Sequence, residues 1–168
     1  SFLKNFSFLP AFDFFMDQKI GPDQGYEFLD HPADVWVHDW GPTLEMAMAE
    51  CVRGLMQTMI EIEKTPIAEK EETIIELKGE LTKGSLLIAF LTEFLYLFDV
   101  EDKMFNRVMI APLQTLPNGN LHLTATGYVD VFDSTRYVAD VEVKAITYSY
   151  LEINETPSRT DIKIVYDI

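Results

Sequence analysis

Between Leu44 and Met59, the apolar residues Leu44, Ala47, Met48, Cys51, Val52, Leu55, Met56 and Met59 recur at i, i+3, i+4, i+7, i+8, i+11, i+12 and i+15. That spacing is the signature of one apolar face on an α-helix, so the stretch needs a second apolar surface to lie on. Thr43 stands where an N-cap is needed, and Glu45 places negative charge in the first turn. The methionines of the stripe read as adaptable core filler rather than as soft-metal ligands. Cys51 lies on the same face and reads as a buried structural thiol rather than a nucleophile.

A second helix is expected from about Gly84 to Phe98, where Leu87, Phe90, Leu91, Phe94, Leu95 and Phe98 keep helical spacing and Glu93 is a charge inside a very apolar segment. The remaining apolar runs are short and rich in β-branched and aromatic residues. Strands are expected at 26–30, 35–40, 72–78, 105–115, 121–132, 138–148, 150–154 and 161–168. Pro117-Asn118-Gly119-Asn120 separates two of these runs and is a strong hairpin signal. The order of two strands, helix, strand, helix and then a run of strands implies an α+β fold, a largely antiparallel sheet system packed with two α-helices. Gly21 to Gly25 form a turn-rich break, so residues 1–25 are expected to be an N-terminal arm and 26–168 the domain. The arm is rich in phenylalanine but interrupted by Lys4, Pro10 and Asp13, and we expect it to pack on the domain or on a neighbour rather than to serve as a signal segment.

The chain's 168 residues suffice for one domain with a substantial core. Lys and Arg number 13 against 28 Asp and Glu, a net charge of −15, so there is no general footprint for a phosphate backbone and no direct nucleic-acid binding is expected. Such acidity favours basic partners, although it also serves simply to keep a surface soluble. No stretch approaches the roughly 18 uninterrupted apolar residues of a membrane span, so no membrane association is expected. A single cysteine excludes an intramolecular disulfide and any multi-cysteine zinc site, and it suits a reducing, intracellular compartment, cytoplasmic or nuclear.

There is no Gly-rich phosphate loop, GxSxG elbow, HExxH or CxxC, and the three histidines, His31, His38 and His122, show no ligand spacing. The chain therefore reads poorly as an independent enzyme, and carboxylates are what remain. Asp30 and Asp34 flank the His31-Pro32-Ala33 loop, and Asp167 precedes the final Ile168. Acids at a strand end ordinarily just face water. Here, however, Asp161 to Ile168 is strand-like to its last residue, which would fix the α-carboxylate in space beside Asp167. Two such anions repel unless a cation or a proton intervenes, and a third carboxylate from a distant loop would complete a site for Ca²⁺, Mg²⁺ or Mn²⁺.

Five blocks then carry a resemblance. Tyr26-Glu-Phe-Leu-Asp-His-Pro-Ala-Asp-Val35, Trp40-Gly-Pro-Thr-Leu-Glu45, Glu93-Phe-Leu-Tyr-Leu-Phe98, Val143-Lys-Ala-Ile-Thr-Tyr148 and the terminal Asp167-Ile168 resemble, in order, the signature segments of archeases. These are accessory proteins of RtcB-type RNA ligases, which join RNA ends in tRNA splicing. The resemblance implies a non-catalytic factor that promotes guanylylation and multiple turnover of such a ligase, its partner. It implies metal ligands at Asp34, Asp167 and Ile168, with Asp30 and His31 beside them. Lys144 is expected close by, either meeting a phosphate or the partner or salt-bridged to the acids. Glu93 faces either the partner or solvent. The implied cofactor is a divalent cation, Ca²⁺ first and Mg²⁺ or Mn²⁺ as alternatives. Pro32 departs from the usual Thr, Trp36 from a smaller residue, and 126–139 from the commonest version. Two other readings stand beside this one: a stand-alone metal-dependent phosphohydrolase, and a chaperone-like scaffold with no essential metal.

Overall fold

The computed structural model describes residues 21–29 and 34–168. The expected N-terminal arm lies, but for Gly21 to Gly25, outside the described residues. Among the described residues, eight strands and two helices follow in the order β1 (Gly25–Leu29), β2 (Val35–Gly41), α1 (Leu44–Met59), β3 (Glu71–Glu80), α2 (Lys83–Glu101), β4 (Lys103–Ile110), β5 (Gln114–Thr115), β6 (Leu121–Val131), β7 (Ala145–Glu155) and β8 (Thr160–Asp167). The strands form two antiparallel sheets, one ordered β1-β2-β8-β7 and the other β3-β6-β4 with β5 also pairing β6. This is the α+β architecture expected from the element order.

The apolar stripe explains where α1 goes. Ala47, Met48, Cys51, Val52, Leu55 and Met56 are almost wholly buried, and the helix packs on β1, β2 and β8 of the first sheet and on β4 of the second. Each fully buried Leu or Met contributes about 1.5–3 kcal/mol by leaving water. The Thr43 hydroxyl accepts the Met46 N–H at 3.1 Å, the N-cap anticipated from the sequence. Helix α2 lies against β7 and the second sheet. Its Leu87, Phe90, Leu91 and Phe94 are fully buried, and Phe94 meets Phe105 of β4 edge to face at 4.6 Å. It begins one residue before the expected Gly84, capped by reciprocal Thr82–Ser85 hydrogen bonds, and ends three residues past Phe98, where Asp102 turns left-handed at φ 56°.

Three expectations need correction. The strand expected over 105–115 breaks after Ile110. Pro112 has no N–H to give the ladder, and the Leu113 N–H goes instead to the Glu45 carboxylate at 3.0 Å. The run from Val138 to Lys144 is not part of a strand. Its Asp140 and Val141 amides donate to Met59 and Thr58 carbonyls at the end of α1, and only an isolated bridge joins Ile60 to Ala139. Residues 145–155 form one strand rather than two, with an irregularity between Thr147 and Glu152 where Tyr150 adopts φ 55°. The expected hairpin is present: Leu116 and Asn120 close it by a 2.8 Å backbone bond, and Gly119 takes φ 88°, a conformation glycine adopts without strain.

Candidate functional site

Strand β8 alternates in burial from Thr160 to Ile164, after which Val165 and Tyr166 are both buried. Ile162, Ile164 and Tyr166 are fully buried toward α1, where the Tyr166 hydroxyl donates to the Cys51 carbonyl at 3.3 Å. The alternation leaves Asp167 on the opposite face, exposed, while Ile168 returns to the core side and packs partly against it. On β2, Val35 pairs with Tyr166. Asp34 directly precedes Val35 in the chain, and Asp167 directly follows Tyr166, so the two acids flank the last pair of this ladder. On the other flank of β8, Ala145 pairs with Asp167, and the Lys144 N–H donates to the Asp167 carbonyl at 2.8 Å. Residues from three separate sequence segments thus come to one end of the first sheet: Asp34, Lys144, Asp167 and Ile168.

The acids here are hard oxygen donors suited to an oxygen-seeking cation rather than to a soft metal. Among the described residues, the Asp167 carboxylate has no ion-pair partner, and the Lys144 ammonium forms no ion pair either, so the salt bridge considered for it is not made within this part of the chain. Asp30 and His31, expected beside the ligands, lie outside the described residues. No group of three His, Cys, Asp or Glu side chains close enough to hold a metal ion occurs among the described residues. A complete coordination sphere would therefore need donors beyond the two aspartates. These residues fit a hard cation as a partial ligand set.

The described histidines lie elsewhere. His38 bridges Glu27 at 2.9 Å and Asp161 at 2.7 Å on the face of the first sheet turned away from α1. Arg159 holds Asp161 from the other side and, with the imidazole, keeps its carboxyl below the usual range. His122, on β6, approaches Glu76 at 3.6 Å.

Two features escaped the reading from sequence. Asp39 is fully buried on β2, accepting the Cys51 thiol, and burial pushes its carboxyl well above the ordinary range. The alternation Val35, Val37, Asp39 on one strand was the signal that could have found it. The other is a groove along α2, described below, whose walls come from segments that no spacing rule connects.

No helix among the described residues is long and apolar enough to cross a membrane. The Archease protein family (MTH1598/TM1083) matches residues 26–168. A protein archease-like from Dictyostelium discoideum is 33% identical over 150 residues, covering 89% of this chain and 97% of its own. A protein archease from Pyrococcus furiosus is 34% identical over 144 residues, covering 85% and 98% respectively. The solution structure of Methanobacterium thermoautotrophicum protein 1598 superimposes with a TM-score of 0.68 over 86% of this chain and 99% of its own; at 23% identity, that likeness speaks to the fold.

Proposed function

The chain belongs to the archease family, and from that premise we propose that it is an accessory factor of an RtcB-type RNA ligase, promoting guanylylation and repeated turnover through a divalent cation held by Asp34, Asp167 and Ile168. The observation that carries the reading is the register. Val35 opposite Tyr166 and Ala145 opposite Asp167 support it, since Asp34, Asp167 and Ile168 belong to or directly adjoin those pairs. Carboxylates brought near one another repel, and a cation between them relieves that cost.

When bound, the cation, Ca²⁺, Mg²⁺ or Mn²⁺, supplies positive charge that can offset phosphate oxygens. The protein's own part is to hold the donors at a fixed edge. Strand pairing on both flanks of β8 immobilises the backbone of Asp167, so binding costs little ordering there. Lys144 stands next to Asp167 with its ammonium unpaired among the described residues, ready for a phosphate or an acidic group of the partner. The net charge of −15 disfavours competition for RNA and complements a basic protein surface.

Multiple-turnover ligation by an RtcB-type ligase tests this. The wild-type chain should raise turnover, and a chain extended beyond Ile168, which carries the α-carboxylate away, should fold normally yet stimulate weakly. Full stimulation by the extended chain would remove Ile168 from the ligand set. No stimulation by the wild-type chain at any cation concentration would overturn the reading.

A further inference from the structure

The exposed side of α2 forms the floor of a groove of about 490 Å³, walled by β3 on one side and by Tyr148 of β7 on the other. Its apolar base is made by Leu77, Ile88 and Ala89, all partly buried. Two phenol rings stand at its mouth, Tyr96 at 53% and Tyr148 at 61% exposure. Two carboxylates line it as well, Glu80 and Glu93, and no basic side chain does.

Among the described residues, Glu80 and Glu93 make no ion pair. The basic residues beside Glu80 in sequence have other partners: Lys78 pairs with Glu76 at 3.0 Å, and Lys83 with Glu155. Two unneutralised carboxylates beside two open aromatic faces complement a cation with apolar neighbours. A guanidinium or ammonium can lie on a tyrosine face while a carboxylate accepts its hydrogen bonds, and the aliphatic stem covers the floor. Tyrosine and arginine are also the side chains on which interface energy concentrates.

We propose that this groove is a docking site for a basic segment of a protein partner, one that presents an arginine or lysine between aliphatic residues. The occupant's charge follows from the two acids without a counter-ion, and its apolar flanks follow from Leu77, Ile88 and Ala89. The site requires no metal and stands whether or not a cation binds at Asp167.

The probe is a synthetic peptide of alternating leucine and arginine, capped at both ends, with a leucine–glutamine peptide of the same length as control. Each is titrated into ¹⁵N-labelled full-length protein and followed by amide shifts. The arginine peptide should move the amides of Ala89, Thr92, Tyr96 and Tyr148, leave those of the exposed acids Glu71 and Glu72 unmoved, and weaken as salt is raised. The control should bind at least about threefold more weakly. The double variant Glu80→Gln/Glu93→Gln should fold with an unchanged spectrum outside the groove and lose about tenfold in affinity for the arginine peptide. Equal binding of both peptides, shifts centred elsewhere, or unchanged affinity in the double variant would each overturn the proposal. So would concentration-dependent shifts of the same amides without peptide, which would assign the groove to a second copy of the chain.

Discussion

The Cys51 thiol donates to Asp39 Oδ2 at 3.1 Å with both side chains fully buried, while Asp39 Oδ1 has no hydrogen-bond partner among the described residues. Gly54 makes this possible, since a Cβ at that position would come within 3.2 Å of Oδ1. Burial pushes the Asp39 carboxyl well above the ordinary range, the Cys51 bond opposes that effect, and the nearby Glu50 charge reinforces it.

Stability should therefore fall as pH rises. The folded-state pKa of Asp39 lies above its unfolded value, so its contribution is fully present below the ordinary carboxylate range. It is lost as pH climbs toward the raised folded-state pKa, at about 1.4 kcal/mol per pH unit. Asp39→Asn keeps the shape and removes the titration. Urea unfolding at a series of pH values should show the variant gaining on the wild type as pH rises. A difference that is flat across pH would show that Asp39 is not carrying this linkage.

Asp167 is exposed, and its side chain makes no ion pair among the described residues, so Asp167→Asn should change stability by no more than about 0.5 kcal/mol. If Asp167 is a ligand, the wild type should gain in melting temperature on addition of Ca²⁺, Mg²⁺ or Mn²⁺ and the variant should not. Asp34→Asn should likewise lose the cation-dependent rise. An equal cation-dependent rise in all three proteins would exclude both aspartates from the site.

Tyr137 is buried between two segments. Its hydroxyl donates to Asp130 Oδ2 at 2.6 Å and accepts the Ala68 N–H at 3.2 Å. Tyr137→Phe leaves both partners short of a bond and should cost about 1–3 kcal/mol. Because Tyr137 anchors the segment that runs to Lys144, amide exchange across 138–144 should quicken in the variant. Unchanged exchange there would mean that the bonds of Asp140 and Val141 to the end of α1 hold the segment alone.

Gly127, on β6, has no room for a side chain: a Cβ there would lie 2.6 Å from two ring carbons of Phe105. Phe105 is itself clamped by Phe94. Gly127→Ala should therefore destabilise by about 1–3 kcal/mol, measured by denaturant midpoint at constant m-value. The additional substitution Phe105→Leu, which withdraws the ring, should recover part of the loss.

The sequence by itself determined the two helices, most of the strands, and the acidic character of the surface. These follow from periodicity and composition, which are local quantities. The stripe from Leu44 to Met59 could satisfy its apolar face only as a helix, and Asn118-Gly119 could connect its flanking runs most simply as a turn. Val138 to Lys144 had the composition of a strand, but the tertiary structure decided otherwise, because its amides found carbonyls at the end of α1 before any sheet partner. Asp34 and Asp167 were separately legible as acids beside strands. Their neighbourhood was decided by the pairing of β2 with β8, a register set by burying Val35, Val37, Ile164 and Tyr166 on one face. The same holds for the groove of Tyr96 and Tyr148: each was visible in the sequence, but only the packing of α2 between β3 and β7 put two phenols and two carboxylates around one space.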